Sequence, residues 1–225
     1  MKAELLSYFG NDKMVVNVAR VSYGKWCDDL SVKAEDVRLI NYLAKHQHTS
    51  PFRHPQLQFR VACPIYVERQ LFKHQIGVSV NSISGRYVDF STQYDVPQAG
   101  EWRKQSKSSK QGSEGLVDND RQGRASEIVD SIVRAAEEGY ASLVQMGVSK
   151  EQARILLPLC TQTMFVATMS LQAFIHMCRL RLKPDAQQET RELVREMLRQ
   201  VDELGCFEHS LRAWNIFPIN WKIDE

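Results

Sequence analysis

The chain has 225 residues, 43% of them apolar, and a formal net charge of +2. That length and apolar share predict one large domain with a buried core, and the near-neutral balance excludes the polybasic signature of a nucleic-acid polymer binder. The five cysteines (Cys27, Cys63, Cys160, Cys178, Cys206) are odd in number and form no C-x-x-C pair, which fits reduced core thiols of a cytosolic protein rather than a disulfide frame or a zinc site. Residues 1–10 lack a basic start followed by an apolar run, so no secretory leader is expected. The most apolar window, 164–178, is too short to span a bilayer and contains Gln172 and His176, so no membrane partner is expected either.

Taken in chain order, residues 2–8 read as a short strand and 15–21 as the first apolar turns of a helix. Residues 32–45 predict a helix with Val37, Ile40 and Leu43 on one side. Thr49-Ser50-Pro51 punctuates it, and 56–61 alternates as a strand through Leu57, Phe59 and Val61. Pro64 falls where a first helical turn tolerates proline. On the helix expected to follow, Val67, Leu71 and His74 share a face, with Gln70 and Lys73 beside it. Residues 98–124 mix Lys, Gln, Ser and Gly around Trp102 and Leu116 without an apolar period, and a flexible, solvated loop is expected there. A long amphipathic helix is predicted over 125–146. Gly147 stops it, and Ser149 caps a short helix that carries Arg154 and ends at Pro158. Residues 161–169 read as a strand and 170–182 as a helix with Leu171, Ile175, Cys178 and Leu182 on its core stripe. Gln172, His176 and Arg179 form a second stripe. A last long helix is predicted over 184–204, opened by Pro184-Asp185. The sum is an α+β chain: a helix-rich single domain over 1–225 with a small mixed or antiparallel sheet.

The most polar window, 69–87, sets Lys, His, Arg, Gln, Asn and Ser between apolar segments. Buried polar groups need partners, and a phosphate-bearing ligand would supply many at once. Charge is uneven in the same region. From Ser50 to Arg86 the cations Arg53, Arg60, Arg69, Lys73 and Arg86 face one anion, Glu68, while 161–181 holds Arg179 and Arg181 and no carboxylate. Such segments can converge on an anionic ligand. His46, His48 and His54 match no zinc spacing, so no metal site is expected. Ser79, Ser82 and Ser84 stand in no G-x-S-x-G elbow, and neither glycine fingerprint of a nucleotide fold occurs. What survives is a phosphate-and-base site built from Gln70, Lys73 and Arg86 on one segment with Arg154 and Arg181 on others.

At these residues the sequence resembles the flavin-dependent thymidylate synthases. That family's signature is an Arg-His-Arg triplet followed, after a short spacer, by Ser; here Lys73-His74-Gln75 leads to Ser84. The likeness extends through Thr49-Ser50-Pro51-Phe52-Arg53-His54, residues 62–70, Ser84-Gly85-Arg86-Tyr87, Ala153-Arg154-Ile155-Leu156-Leu157-Pro158, and Leu180-Arg181 leading to Ala186-Gln187-Gln188-Glu189. The resemblance implies the family's thymidylate synthase-complementing fold and a reductive methylation of dUMP to dTMP. In that reaction 5,10-methylenetetrahydrofolate gives the carbon, and FAD reduced by NADPH gives the hydride. By similarity, Gln70, Lys73, Ser82, Ser84, Gly85, Arg86, Arg154 and Arg181 would hold dUMP, with Arg181 as the catalytic group that polarises the uracil ring. His48, Ser50, Lys73, His74, Gln75, Ser82, Ser170, Gln172 and His176 would fall at FAD positions. A cytoplasmic homotetramer with shared active sites is implied, and no protein nucleophile is needed.

Several positions depart from the pattern. Lys73 and Gln75 replace both signature arginines, Ser82 stands where a glutamate is common, Ser170-Leu171-Gln172 replaces Asn-Ala-Arg, and His176 a frequent asparagine. These changes strip cations from the flavin side while the uracil-side arginines stay, so weaker or differently organised FAD binding is expected. The competing reading is a nucleotide-binding relative whose flavin chemistry is lost or altered.

Overall fold

A computed structural model describes residues 1–88 and 93–216; positions 89–92 and 217–225 of the expected domain lie outside the described residues. Its centre is a four-stranded antiparallel sheet of β1 (Lys2–Phe9), β2 (Gln56–Pro64), β6 (Gln162–Ser170) and β3 (Val78–Ser82), ordered β1-β2-β6-β3. On β2 the alternation Leu57, Phe59, Val61, Cys63 points into the core, and on β6 Phe165, Ala167 and Met169 do the same. Helices α6 (Leu171–Arg181) and α7 (Gln188–Glu203) cover this face, with Phe59 stacked on Phe174 at 5.8 Å and Phe72 edge-on to Phe165 at 5.0 Å.

At one side α1 (Asp12–Val21), α2 (Ala34–Lys45) and α8 (Glu208–Ala213) pack together through buried polar groups. Asp12 accepts hydrogen bonds from His209 N at 2.8 Å and from the amide and hydroxyl of Ser210, so a residue at the start of the chain caps a helix near its end. Lys13, 2% exposed, reaches the fully buried Asp36 carboxylate at 2.8 Å; Arg20 approaches it at 2.7 Å, and the Lys33 amide donates to it at 3.0 Å. Burial would raise the Asp36 carboxyl, but these donors hold it below its ordinary value.

Several expectations are corrected by this arrangement. Pro64 closes β2 and stands at the N-cap of α3 (Ile65–Leu71), which is shorter than predicted, so Lys73 and His74 lie beyond the helix. The helix stops because the amides of Lys73 and His74 turn back to the carbonyls of Gln70 and Leu71, at 3.4 and 3.0 Å, in tight i→i−3 bonds. α7 begins at Gln188 rather than at Pro184, since the Arg191 guanidinium takes the Pro184 carbonyl at 2.6 Å and holds the preceding turn open. The region 98–124 is not an uninterrupted loop. It contains a hairpin of β4 (Arg103–Gln105) and β5 (Ser113–Leu116), and α4 (Asn119–Gln145) starts within it. The buried Gln122 is the reason: its side-chain amide accepts from the Gly100 and Trp102 amides and donates to the Trp102 and Val117 carbonyls. The sheet itself agrees with expectation: of the two arrangements allowed, mixed or antiparallel, it is the antiparallel one throughout. Ser149 does precede the short α5 (Lys150–Ala153), and Arg154 sits in the single 3₁₀ turn that follows. Among the described residues no helix is long and apolar enough to cross a membrane.

Candidate active site

The signature triplet Lys73-His74-Gln75 occupies the turn between the end of α3 and β3, and this turn meets the first turn of α6. Two close approaches fix the junction. Gly77, at φ +73°, passes its carbonyl to Ser170 N at 2.9 Å, and Ser170 Oγ caps α6 by accepting from Ala173 N at 3.2 Å. A Cβ on Gly77 would sit 2.8 Å from that hydroxyl, so only glycine allows the turn to lie this close. The result is a cleft of about 340 Å³ whose walls include Arg53, Lys73, His74, Gln75, Gln172, His176 and Arg181.

Cations dominate this cleft. Arg53, Lys73 and Arg181 line it, no carboxylate does, and among the described residues none of the three is ion-paired. Arg181 is held from two directions: its Nε donates to His74 Nε2 at 3.0 Å and its Nη2 to the Gln70 carbonyl at 3.0 Å. Its other donors remain for a ligand. Accepting from a guanidinium requires a bare nitrogen on His74. Burial first, then the Arg181 charge and the His176 ring edge-on at 5.8 Å, pull His74 down to about 4. At neutral pH the ring is uncharged with its proton on Nδ1. Burial also lowers Arg181 from its ordinary value. On the α6 wall the Gln172 side-chain oxygen is buried without a hydrogen-bond partner. An acceptor left unpaired there is a place for a ligand N–H or O–H.

The other expected residues fall in separate places. Gln70 points toward α7, where its amide nitrogen donates to the Gln187 side chain and its oxygen accepts from Thr190 Oγ1 at 3.2 Å. Arg86 and Arg154 meet at Glu151: Arg86 Nε lies 3.4 Å from the carboxylate, and Arg154 Nε donates to the backbone carbonyl at 3.3 Å. Both are exposed. Ser84 Oγ accepts from Arg86 N at 3.3 Å, Gly85 is buried beside it, and Ser82 ends β3. One chain thus brings Arg181 together with Gln70 and His74, and Arg86 together with Arg154, as two clusters. Ser50 opens a 3₁₀ turn (Ser50–Arg53) on the rim, and the exposed His48 packs with Tyr42 and His46 rings instead of entering the cleft. Sequence reasoning missed Arg53, Thr49, Ile76 and Leu180 as cleft residues, although Arg53 lay within the acid-poor segment. The cysteines offer no activated thiol in the core: burial pushes Cys63 up to about 12 and Cys206 to about 11.

Fold and cleft describe an α+β protein that presents a carboxylate-free, cationic recess with a buried orphan acceptor, suited to an anionic ligand with a polar heterocycle. The profile of the thymidylate synthase complementing proteins matches residues 4–204, and the chain belongs to that family. A flavin-dependent thymidylate synthase of Thermus thermophilus is 40% identical over 200 residues, covering 88% of this chain and 70% of that relative. One from Treponema denticola is 36% identical over 228 residues, covering 98% and 82%. Among solved structures, the UMP/dUMP methylase PolB from Streptomyces cacaoi, bound with 5-Br dUMP, superimposes with a TM-score of 0.83 at 28% identity, covering 96% of this chain and 95% of that one.

Proposed function

We propose that this chain is a flavin-dependent thymidylate synthase, which converts dUMP to dTMP in a cytoplasmic homotetramer. The observation that carries the reading is Arg181. It lines a carboxylate-free cleft and is fixed by a neutral His74 and the Gln70 carbonyl, with donors to spare. When bound, the flavin, reduced by NADPH, supplies the hydride that completes a methyl group whose carbon comes from 5,10-methylenetetrahydrofolate.

The chain's own residues perform the rest. Arg181 stabilises negative charge developing on the uracil ring, because its orientation is set before the ligand arrives. His74, held neutral, accepts from Arg181 and so adds no competing positive charge that would misdirect the guanidinium. Lys73 and Arg53 would attract the anionic parts of the cofactor into the cleft, and the Gln172 oxygen would accept one hydrogen bond from it. These features fit FAD with fewer cations than the family pattern, since Gln75 and Gln172 carry no charge. Arg86 and Arg154, paired through Glu151, form a second anion-binding cluster that faces a neighbouring subunit's Arg181 cluster in the tetramer. This division of the site accounts for their separation within one chain. Apolar side chains left open on α4 and the segment after it, with Ile128 51%, Ile132 61% and Ile155 79% exposed, give that assembly surface to bury.

The test is release of tritium from carbon 5 of labelled dUMP by the flavin-loaded protein, given NADPH and the folate, with Arg181→Ala alongside. Release by the native chain that falls at least a hundredfold in the variant is expected. A protein that binds dUMP yet releases no tritium is instead a nucleotide-binding relative without flavin chemistry.

A further inference from the structure

The hairpin β4–β5 touches the structure that carries Arg181 at two points. Arg103 Nη2 lies 2.5 Å from Glu189 Oε1 in the first turn of α7, and at the tip the Gln111 amide donates to Asp185 at 3.2 Å. The Arg103–Glu189 pair is mostly shielded, with side chains 23% and 14% exposed, unlike the solvated ion pairs elsewhere on the surface. A shielded, hydrogen-bonded pair resists screening and fixes geometry better than an exposed one.

Glu189 sits in the first turn of α7, between the N-cap residue Gln187 and Thr190. Burial would raise its carboxyl, but Arg103 holds it below the ordinary range, so it meets Arg103 as an anion, while its Oε2 is buried without a hydrogen-bond partner. The Gln187 oxygen accepts from Gln70 Nε2, and the Gln70 carbonyl accepts from Arg181 Nη2. The Gln70 side-chain oxygen is taken by Thr190, so both ends of that amide are fixed from α7. Arg103 therefore anchors the helical turn whose Gln187 and Thr190 hold the Gln70 side chain, and the main-chain carbonyl of Gln70 in turn holds the guanidinium in the cleft.

We propose that Arg103 is a positioning residue for dUMP binding: by pinning Glu189 in the first turn of α7 it fixes Gln187 and Thr190 on the Gln70 side chain, and through Gln70 the Arg181 guanidinium, in the orientation that receives the nucleotide. The hairpin is then part of the site's support rather than an ornament on the surface. The inference rests on the reading that Gln70 and Arg181 contact dUMP.

The experiment titrates dUMP into the flavin-loaded protein by calorimetry, with flavin content followed by absorbance and the melting midpoint recorded for every variant. Arg103→Ala is expected to weaken dUMP about tenfold, within the range that a side-chain network transmits, while flavin content holds. Arg103→Lys restores affinity to within about threefold, and Glu189→Gln, which keeps the side chain's volume, weakens binding as Arg103→Ala does. In a Gln70→Ala background Arg103→Ala has no further effect on dUMP, because the link is already cut. A contact that serves folding alone would lower the melting midpoint equally in both backgrounds and leave dUMP affinity within twofold. That result overturns the proposal, and so does a full penalty persisting without Gln70. If Arg103→Ala does not fold, Glu189→Gln decides. Arg181→Ala separates the two failures. If it binds dUMP normally, both the functional reading and the relay fall; if it binds poorly while Arg103→Ala binds normally, only the relay does.

Discussion

Lowering the pH should destabilise the cleft through a single ring. His74 has an ordinary value of 6.5, and in the folded chain it is pulled down to about 4 by burial, Arg181 and His176. The unfolded chain takes up a proton on this ring below pH 6.5, the folded chain only near 4. Stability tied to the neutral ring is therefore complete above pH 6.5, is lost as pH falls from there to about 4, and changes no further below. A displacement of that size sets an upper bound of about 3 kcal/mol at about 1.4 kcal/mol per pH unit. The ring is only half-buried, and solvent screening reduces the effect to about 1–2 kcal/mol. Urea unfolding of the native chain and of His74→Gln, each at about pH 7.5 and about pH 4.5, isolates the term because all other titrations cancel. The native chain should lose about 1–2 kcal/mol more than the variant over that interval. Equal losses would refute the claim that Arg181 is oriented by an uncharged imidazole.

Asp36→Ala should cost about 3–5 kcal/mol in urea unfolding, since it strands the buried Lys13 ammonium. Replacing Lys13 and Asp36 together by Met and Leu should recover most of that, and a single-variant loss below about 1 kcal/mol would contradict the burial of the pair. Gly77→Ala should lower stability by about 1–2 kcal/mol through its positive φ and the Ser170 contact, read as a fall in the melting midpoint. Adding Ser170→Ala removes the clash but not the backbone strain. A Gly77→Ala protein that melts with the native chain would mean the turn lies elsewhere.

Much of the scaffold is legible in the sequence because its burial is periodic. Leu57, Phe59 and Val61 alternate and all face the core; Leu171, Ile175 and Cys178 recur at helical spacing and are fully buried. The elements that went unread draw their order from distant partners. β3 carries Ser79, Asn81 and Ser82 among its valines and becomes a strand only by pairing with β6. The hairpin depends on one glutamine amide and one ion pair, neither of which leaves a periodic trace. α8 is capped by Asp12, nearly the whole chain away. In the site, the resemblance pointed to the residues but not to their grouping. That Arg181 rests on His74 and Gln70, while Arg86 and Arg154 share Glu151, follows from three-dimensional packing alone.

The short length of α3 has an evolutionary consequence. Because the helix ends at Leu71, the triplet Lys73-His74-Gln75 lies in a turn whose path is set by main-chain bonds and by Gly77. Its outer two side chains are exposed and bear no packing duty, whereas His74 is anchored to Arg181. Lineages can therefore rewrite the flanking charges, and with them the grip on a cofactor, while the middle histidine keeps the machinery aligned.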